Sequence, residues 1–124
     1  MVRVESLSWY LPEEMQKANI ENMRIECDDD IRALILPDWQ QYCWENCAIV
    51  LSKLDDATIT RFLPELLEWC KDINWPGADI ICKRIKQLPK ETVRGAFTSV
   101  LETARNEKDY QWEEHLQIAF DHWL

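Results

Sequence analysis

The sequence predicts an all-α fold, an alpha-solenoid of about three helical hairpins, and three observations carry that expectation. Apolar residues recur at helical spacing in five consecutive segments, and no segment shows the period of two that marks a half-buried strand. Only two glycines, Gly77 and Gly95, occur in 124 residues, so tight hairpins, phosphate-cradling loops and nucleophile turns lack the residue that supplies most of their backbone angles. Finally, Trp39, Trp75 and Trp112 recur at intervals of 36 and 37 residues, each placed near the start of an expected helix. A period in this range with two helices per unit describes hairpins that bury their apolar faces only by stacking on one another.

Taken in order, a weak first helix runs from about Pro12 to Met23, with Pro12 in its first turn and Leu11, Met15 and Ala18 facing inward. Trp39, Cys43, Cys47, Val50, Leu51 and Leu54 form the first strong stripe; Ile59, Phe62, Leu63, Leu66, Cys70 and Ile73 form the second. The third is Ala78, Ile81, Cys82, Ile85 and Leu88; the fourth is Val93, Phe97, Val100, Leu101 and Ala104. Trp112, Leu116, Ala119, Phe120 and Trp123 close the series. Asp38, Asn74 and Asp55 or Asp56 stand where N-caps belong, their side chains able to accept orphan amide protons. Pro64 falls inside the second stripe and should kink it or mark a first turn. The domain organisation expected is an acidic extension with one helix over residues 1–33, packed on a repeat domain over residues 34–124.

Composition narrows the function classes. A hydrophobic share of 47% with 30% charged residues is a globular balance, and the chain is long enough for one self-sufficient core. The net charge of −9 is concentrated early: residues 1–45 carry ten acids against four bases. Such a surface repels nucleic acid and anionic membranes and attracts basic proteins, or merely keeps the chain soluble. The five cysteines are odd in number and follow no apolar leader, so a reduced, cytoplasmic protein is expected. Cys43, Cys47, Cys70 and Cys82 lie on apolar faces, where thiols act as small hydrophobes; Cys27 lies outside every stripe.

LPELLEWCKDINWPGA, from Leu63 to Ala78, and the later Asp-Tyr-Gln-Trp of Asp109 to Trp112 resemble a bacterial domain family with a HEAT-like helical fold. The resemblance covers about Leu34 to Phe120 and implies a fold without a catalytic residue set.

Catalytic constellations are weak. Ser6, Ser8, Ser52 and Ser99 lack a nucleophile-elbow context. Glu13 and Glu14 are neighbours on a helix and diverge by about 100 degrees, so they cannot flank one bond. Asp72, Asn74, Trp75 and Pro76 read as a cap, a first-turn proline and a buried wedge. Cys43, Cys47, Cys70 and Cys82 are interleaved with core positions and unlike paired zinc knuckles, and His115 and His122 read as an exposed pair. No catalytic residue, metal site or cofactor is therefore assigned. Lys83, Arg84, Lys86, Lys90 and Arg94 read as a solvated basic edge.

The expected function is a non-enzymatic protein-binding module, in its specific form an immunity protein that neutralises a basic bacterial toxin, such as a nuclease. The expected partner surface comprises Glu26, Asp28, Asp29, Asp30, Tyr42, Trp44, Glu45, Glu113 and Glu114. The acidic run Glu26 to Asp30 would steer the partner, and Trp44 and Tyr42, flanking the apolar stripe, either stay partly exposed and anchor it or pack under the N-terminal helix. No nucleic acid or membrane partner is expected. An adaptor or regulatory subunit, or a metal-dependent enzyme or metalloprotein using Cys43, Cys47, His115, His122 and the acidic helices, are the alternatives.

Overall fold

The computed structural model describes residues 2–124. Among them eight α-helices and two 3-10 segments occur and no strand, so the chain is all-α. No helix is long and apolar enough to cross a membrane. The buried core is continuous from Leu7 to Phe120, and Leu7 and Ile31 join it from the acidic extension.

That extension holds more than one helix. A 3-10 segment, Val4–Leu7, precedes α1 (Glu13–Asn22) and α2 (Asp28–Leu34). Met15 and Ala18 are exposed, contrary to the expected inward face; α1 buries no residue fully and docks through half-buried Ile20 and through amides. Gln16 donates to the carbonyls of Trp9 (2.9 Å) and Leu11 (2.6 Å), and Asn19 donates to that of Ser6 (2.7 Å). From α3, buried Asn46 donates to Leu7 O and to Gln16 Oε1, both at 2.9 Å. The irregular backbone of residues 6–11 leaves carbonyls that need donors, and these side chains supply them.

The centre of the fold is α3 (Gln41–Ser52), which packs against α1, α2 and α6 and buries Cys43, Trp44, Asn46, Cys47, Ala48, Val50 and Leu51. It begins two residues after Trp39, and Asp38 does not cap it. Asp55 does cap α4 (Asp56–Arg61), accepting from Thr58 N at 2.8 Å, and that donation holds its carboxyl below the ordinary value.

The second expected stripe is broken into three pieces. After α4, Pro64 sits in the first turn of α5 (Leu63–Leu66), and the chain then tightens into the 3-10 segment Leu67–Lys71. Three residues per turn replace 3.6 there, so Leu66 and Trp69 fall on one side and Leu67 with Cys70 on the next. Trp69, absent from the expected stripe, is fully buried.

Asp72 forms the following turn, accepting from Asn74 N at 2.8 Å, and Gly77 precedes α6 (Ala78–Ile85); Asn74 is not a cap and Trp75 lies outside the helix. The last two helices, α7 (Lys90–Asn106) and α8 (Tyr110–Phe120), pack on one another. Between them Lys108 (φ 57°) takes the left-handed position of a Schellman turn, with Lys108 N bonded to Arg105 O and Asp109 N to Ala104 O. Asp109 then caps α8 by accepting from Trp112 N.

Arg84, read from the sequence as a solvated edge residue, is 8% exposed. Its guanidinium donates to Ser52 O (2.9 Å), Leu54 O (2.8 Å) and Asp56 Oδ1 (2.6 Å), joining the end of α3 to the start of α4. Arg84→Met is expected to destabilise the fold by about 2–4 kcal/mol, since two carbonyls lose charged donors in a water-poor site. Arg84→Lys should recover only part of this, because one ammonium cannot reproduce the fork. Urea unfolding of both variants checks the expectation, and equal loss in the two would contradict it.

Candidate functional site

Between α2 and α3 the chain turns through Ile35 to Gln40 by a route that costs conformational energy. Leu36 (φ 45°) and Trp39 (φ 63°) both occupy the left-handed region, which large L residues avoid. Gln40 N donates to Pro37 O at 3.3 Å and closes a four-residue turn with Trp39 in third place, where glycine or asparagine is favoured. At Lys108 the same conformation serves a helix terminator; α2 ends instead on Ile35 in extended backbone, so Leu36 has no such role.

The outcome of this turn is that the indole of Trp39 stands 89% exposed. The residues that flank it in the turn, Ile35, Leu36 and Asp38, line a cleft of about 320 Å³ together with Trp44, Glu68, Lys71 and Trp75. Its wall is rigid: Trp44 meets Trp75 edge to face at 5.2 Å and Trp69 at 6.5 Å, and Trp44 Nε1 donates to Pro37 O at 2.8 Å. An aromatic held out at full exposure next to a firm, half-apolar cleft can enter a pocket on another protein with little further ordering.

Trp44 is 7% exposed and lines the cleft, so it is not the partly exposed anchor expected: it stands three, four and seven residues before Cys47, Ala48 and Leu51 and shares their buried face of α3. Tyr42 is half-buried with its ring 5.8 Å from that of Tyr10, and its carbonyl accepts from Trp9 N. Glu45 is exposed on α3.

The acidic run is the first turn of α2 and not a linker, where its charges complement the helix dipole. Asp30 is buried and accepts from Glu26 N at 2.8 Å, which holds its carboxyl below the ordinary value. Asp28 takes a bidentate pair from Arg61 (3.0 and 3.2 Å), and this bonding likewise lowers its pKa. Asp29, beside Arg32 at 3.1 Å, and Glu26 stay at the surface. Of the run, these two face solvent most fully.

Glu113 and Glu114 are on α8, which packs against α7 and the Leu67–Lys71 segment, whereas the acidic run opens α2 on the flank of α3. Glu113 accepts from Arg105 Nε at 2.6 Å, and Glu114 is exposed in a shallow depression with Gln117, Ile118, Asp121 and His122.

The histidines are not a pair. His115 is half-buried and its Nδ1 accepts from Ile73 N at 2.9 Å, tying α8 to the turn after Lys71; His122 is exposed. Among the described residues no three His, Cys, Asp or Glu side chains gather where they could hold a metal ion. Cys43, Cys47, Cys70 and Cys82 are buried and Cys27 is exposed, all as free thiols.

Sequence reasoning missed Trp39 as a surface residue by assigning it to a stripe. Its signal was the Pro-Asp immediately before it, a turn-initiating pair that predicts a bend and not a helix start.

No curated protein matches the chain. No solved structure matches it either. The family model described as Domain of unknown function (DUF5071) matches residues 45–123, from inside α3 to beyond the end of α8. The Trp39 turn and the acidic first turn of α2 thus lie outside the matched region, and by the extent of that match the chain belongs to the DUF5071 family.

Proposed function

We propose that the chain is a non-enzymatic binding module of HEAT-like helical type that holds a basic protein through the Trp39 turn. The observation that carries this reading is a 89% exposed tryptophan kept in a left-handed backbone position. A residue so placed contributes little to the fold and costs about 1–2 kcal/mol of backbone strain, so stability alone would favour glycine or asparagine. Strain of this kind is concentrated where a protein meets a ligand. The charge of −9, with Asp38, Glu26 and Asp29 on the same part of the chain, selects a basic partner. In its specific form the module is an immunity protein that covers the positive site of a bacterial toxin.

Trp39→Asn separates the two roles. Stability should stay unchanged or rise by up to about 1 kcal/mol, because asparagine tolerates the left-handed region. Dissociation from the partner should quicken by about thirtyfold, the equivalent of an anchor of about 2 kcal/mol. Glu26→Lys with Asp29→Lys should instead slow association, most at low salt. The measurement is affinity capture on the immobilised chain, followed by binding kinetics with the purified partner. An acidic partner, no stoichiometric partner, or one held equally by Trp39→Asn would overturn the reading.

A further inference from the structure

We propose that Cys82 and Cys70 form a hydroperoxide-reactive dithiol, in which Cys82 is the attacked thiol and Cys70 resolves it to an intramolecular disulfide. The two sulfurs are 3.4 Å apart, joined by an S–H···S hydrogen bond between the Leu67–Lys71 segment and α6. Cys82 differs from the other core thiols in its access. It is 8% exposed and lines an open cavity of about 230 Å³ with Ile73, Ala78, Asp79, Lys86 and Ala119, large enough for a small hydroperoxide. Cys70 is fully buried behind it.

Charge points the same way as access. The hydrogen bond with Cys70 and the charge of Lys86 pull the Cys82 thiol below its ordinary value, against the opposing effects of burial and Asp79. Cys70, the more buried of the two, is pushed up by the hydrogen bond it shares with Cys82 and by burial. Burial pushes Cys43 to about 11 and Cys47 to about 12, so those thiols remain protonated and unreactive.

The chemistry balances with the hydroperoxide as sole oxidant. The Cys82 thiolate attacks the peroxide oxygen, the O–O bond breaks, and the leaving hydroxide takes a proton to give water and a Cys82 sulfenic acid. The Cys70 sulfur then displaces hydroxide from Cys82, its own proton leaving with that hydroxide as a second water, and the S–S bond forms. Two thiols are oxidised by two electrons and one peroxide becomes two waters. The ring so closed spans the turn from Asp72 to Gly77, including Trp75 of the cleft wall.

Native full-length protein treated with hydrogen peroxide, then alkylated and mapped by mass spectrometry, tests this. The expected result is a Cys70–Cys82 disulfide within one chain, formed about tenfold faster than exposed Cys27 is oxidised. With Cys70→Ala, a sulfenic acid should persist on Cys82 and be trapped by a 1,3-dione. In denaturant the preference for this pairing should vanish. Cys27 oxidising first, a disulfide between chains, or Cys70 and Cys82 both reduced when Cys27 is consumed would overturn the proposal, and these readouts on the unmodified chain need no variant to fold.

Discussion

Gly77→Ala is expected to destabilise the protein by about 2–5 kcal/mol, combining the left-handed penalty with overpacking. At φ 88° Gly77 holds a conformation that an L residue resists, and the chain enters α6 directly after it. An added Cβ would stand 2.7 Å from Ala48 Cβ and 2.9 Å from the carbonyl oxygen of Trp44, both on α3. A methyl on a packed helix and a backbone carbonyl cannot swing aside, so α3 and α6 must separate. Ala48→Gly in the same chain should recover part of the loss by removing one contact, leaving the carbonyl contact and the backbone penalty. Thermal and urea unfolding of the cycle would measure the coupling, and an additive cycle would refute the close approach of these helices.

Trp69→Ala should cost about 3–5 kcal/mol, the range for deleting a buried large aromatic. Trp69 is 0% exposed, its ring meets Trp44, and its Nε1 donates to Pro76 O at 2.8 Å. It ties the 3-10 segment to the turn that launches α6, so its loss loosens both walls of the cleft. Trp69→Phe keeps most of the packing and strands the Pro76 carbonyl, for an expected cost of about 1–3 kcal/mol. A loss equally large in both variants would mean that the hydrogen bond, not the ring volume, holds this junction.

The tryptophans show where a sequence stops speaking. Spacing alone equates Trp39, Trp75 and Trp112, yet one is exposed on a turn, one is half-buried ahead of a helix, and one is buried inside α8 with Nε1 bonded to Leu67 O. The 36 and 37 residue recurrence therefore does not give three equivalent environments. Trp69 lies seven residues after Phe62 and three after Leu66, a helical spacing that the expected stripe passed over, and it is fully buried.

The candidate surface divides in the same way. The exposure of Glu26, Asp29 and Glu45 follows from their polarity, and the abundance of acid early in the chain is plain in the residues. That Asp28 is paired with Arg61, 33 residues away, and that Asp30 is turned inward onto Glu26 N, depend on how α2 lies on its neighbours. Trp39 is left on a turn because α3 begins at Gln41, whereas Trp44 is buried because it shares a helix face with Cys47, Ala48 and Leu51.

Legible in the residues alone were the all-α class, an aspartate cap at Asp55 or Asp56 for α4, the first turn at Pro64, and the burial of four thiols with Cys27 outside. These are local matters of apolar period, side-chain reach and backbone angle, settled within a few residues. Tertiary structure alone decided which tryptophan faces solvent, that Arg84 is a buried tie and not a surface cation, that α1 docks through Gln16 and Asn19, and that Cys70 and Cys82 come within 3.4 Å. The reason is that each of these depends on carbonyls and side chains brought from distant segments, and a buried polar group is stable only where such a partner arrives.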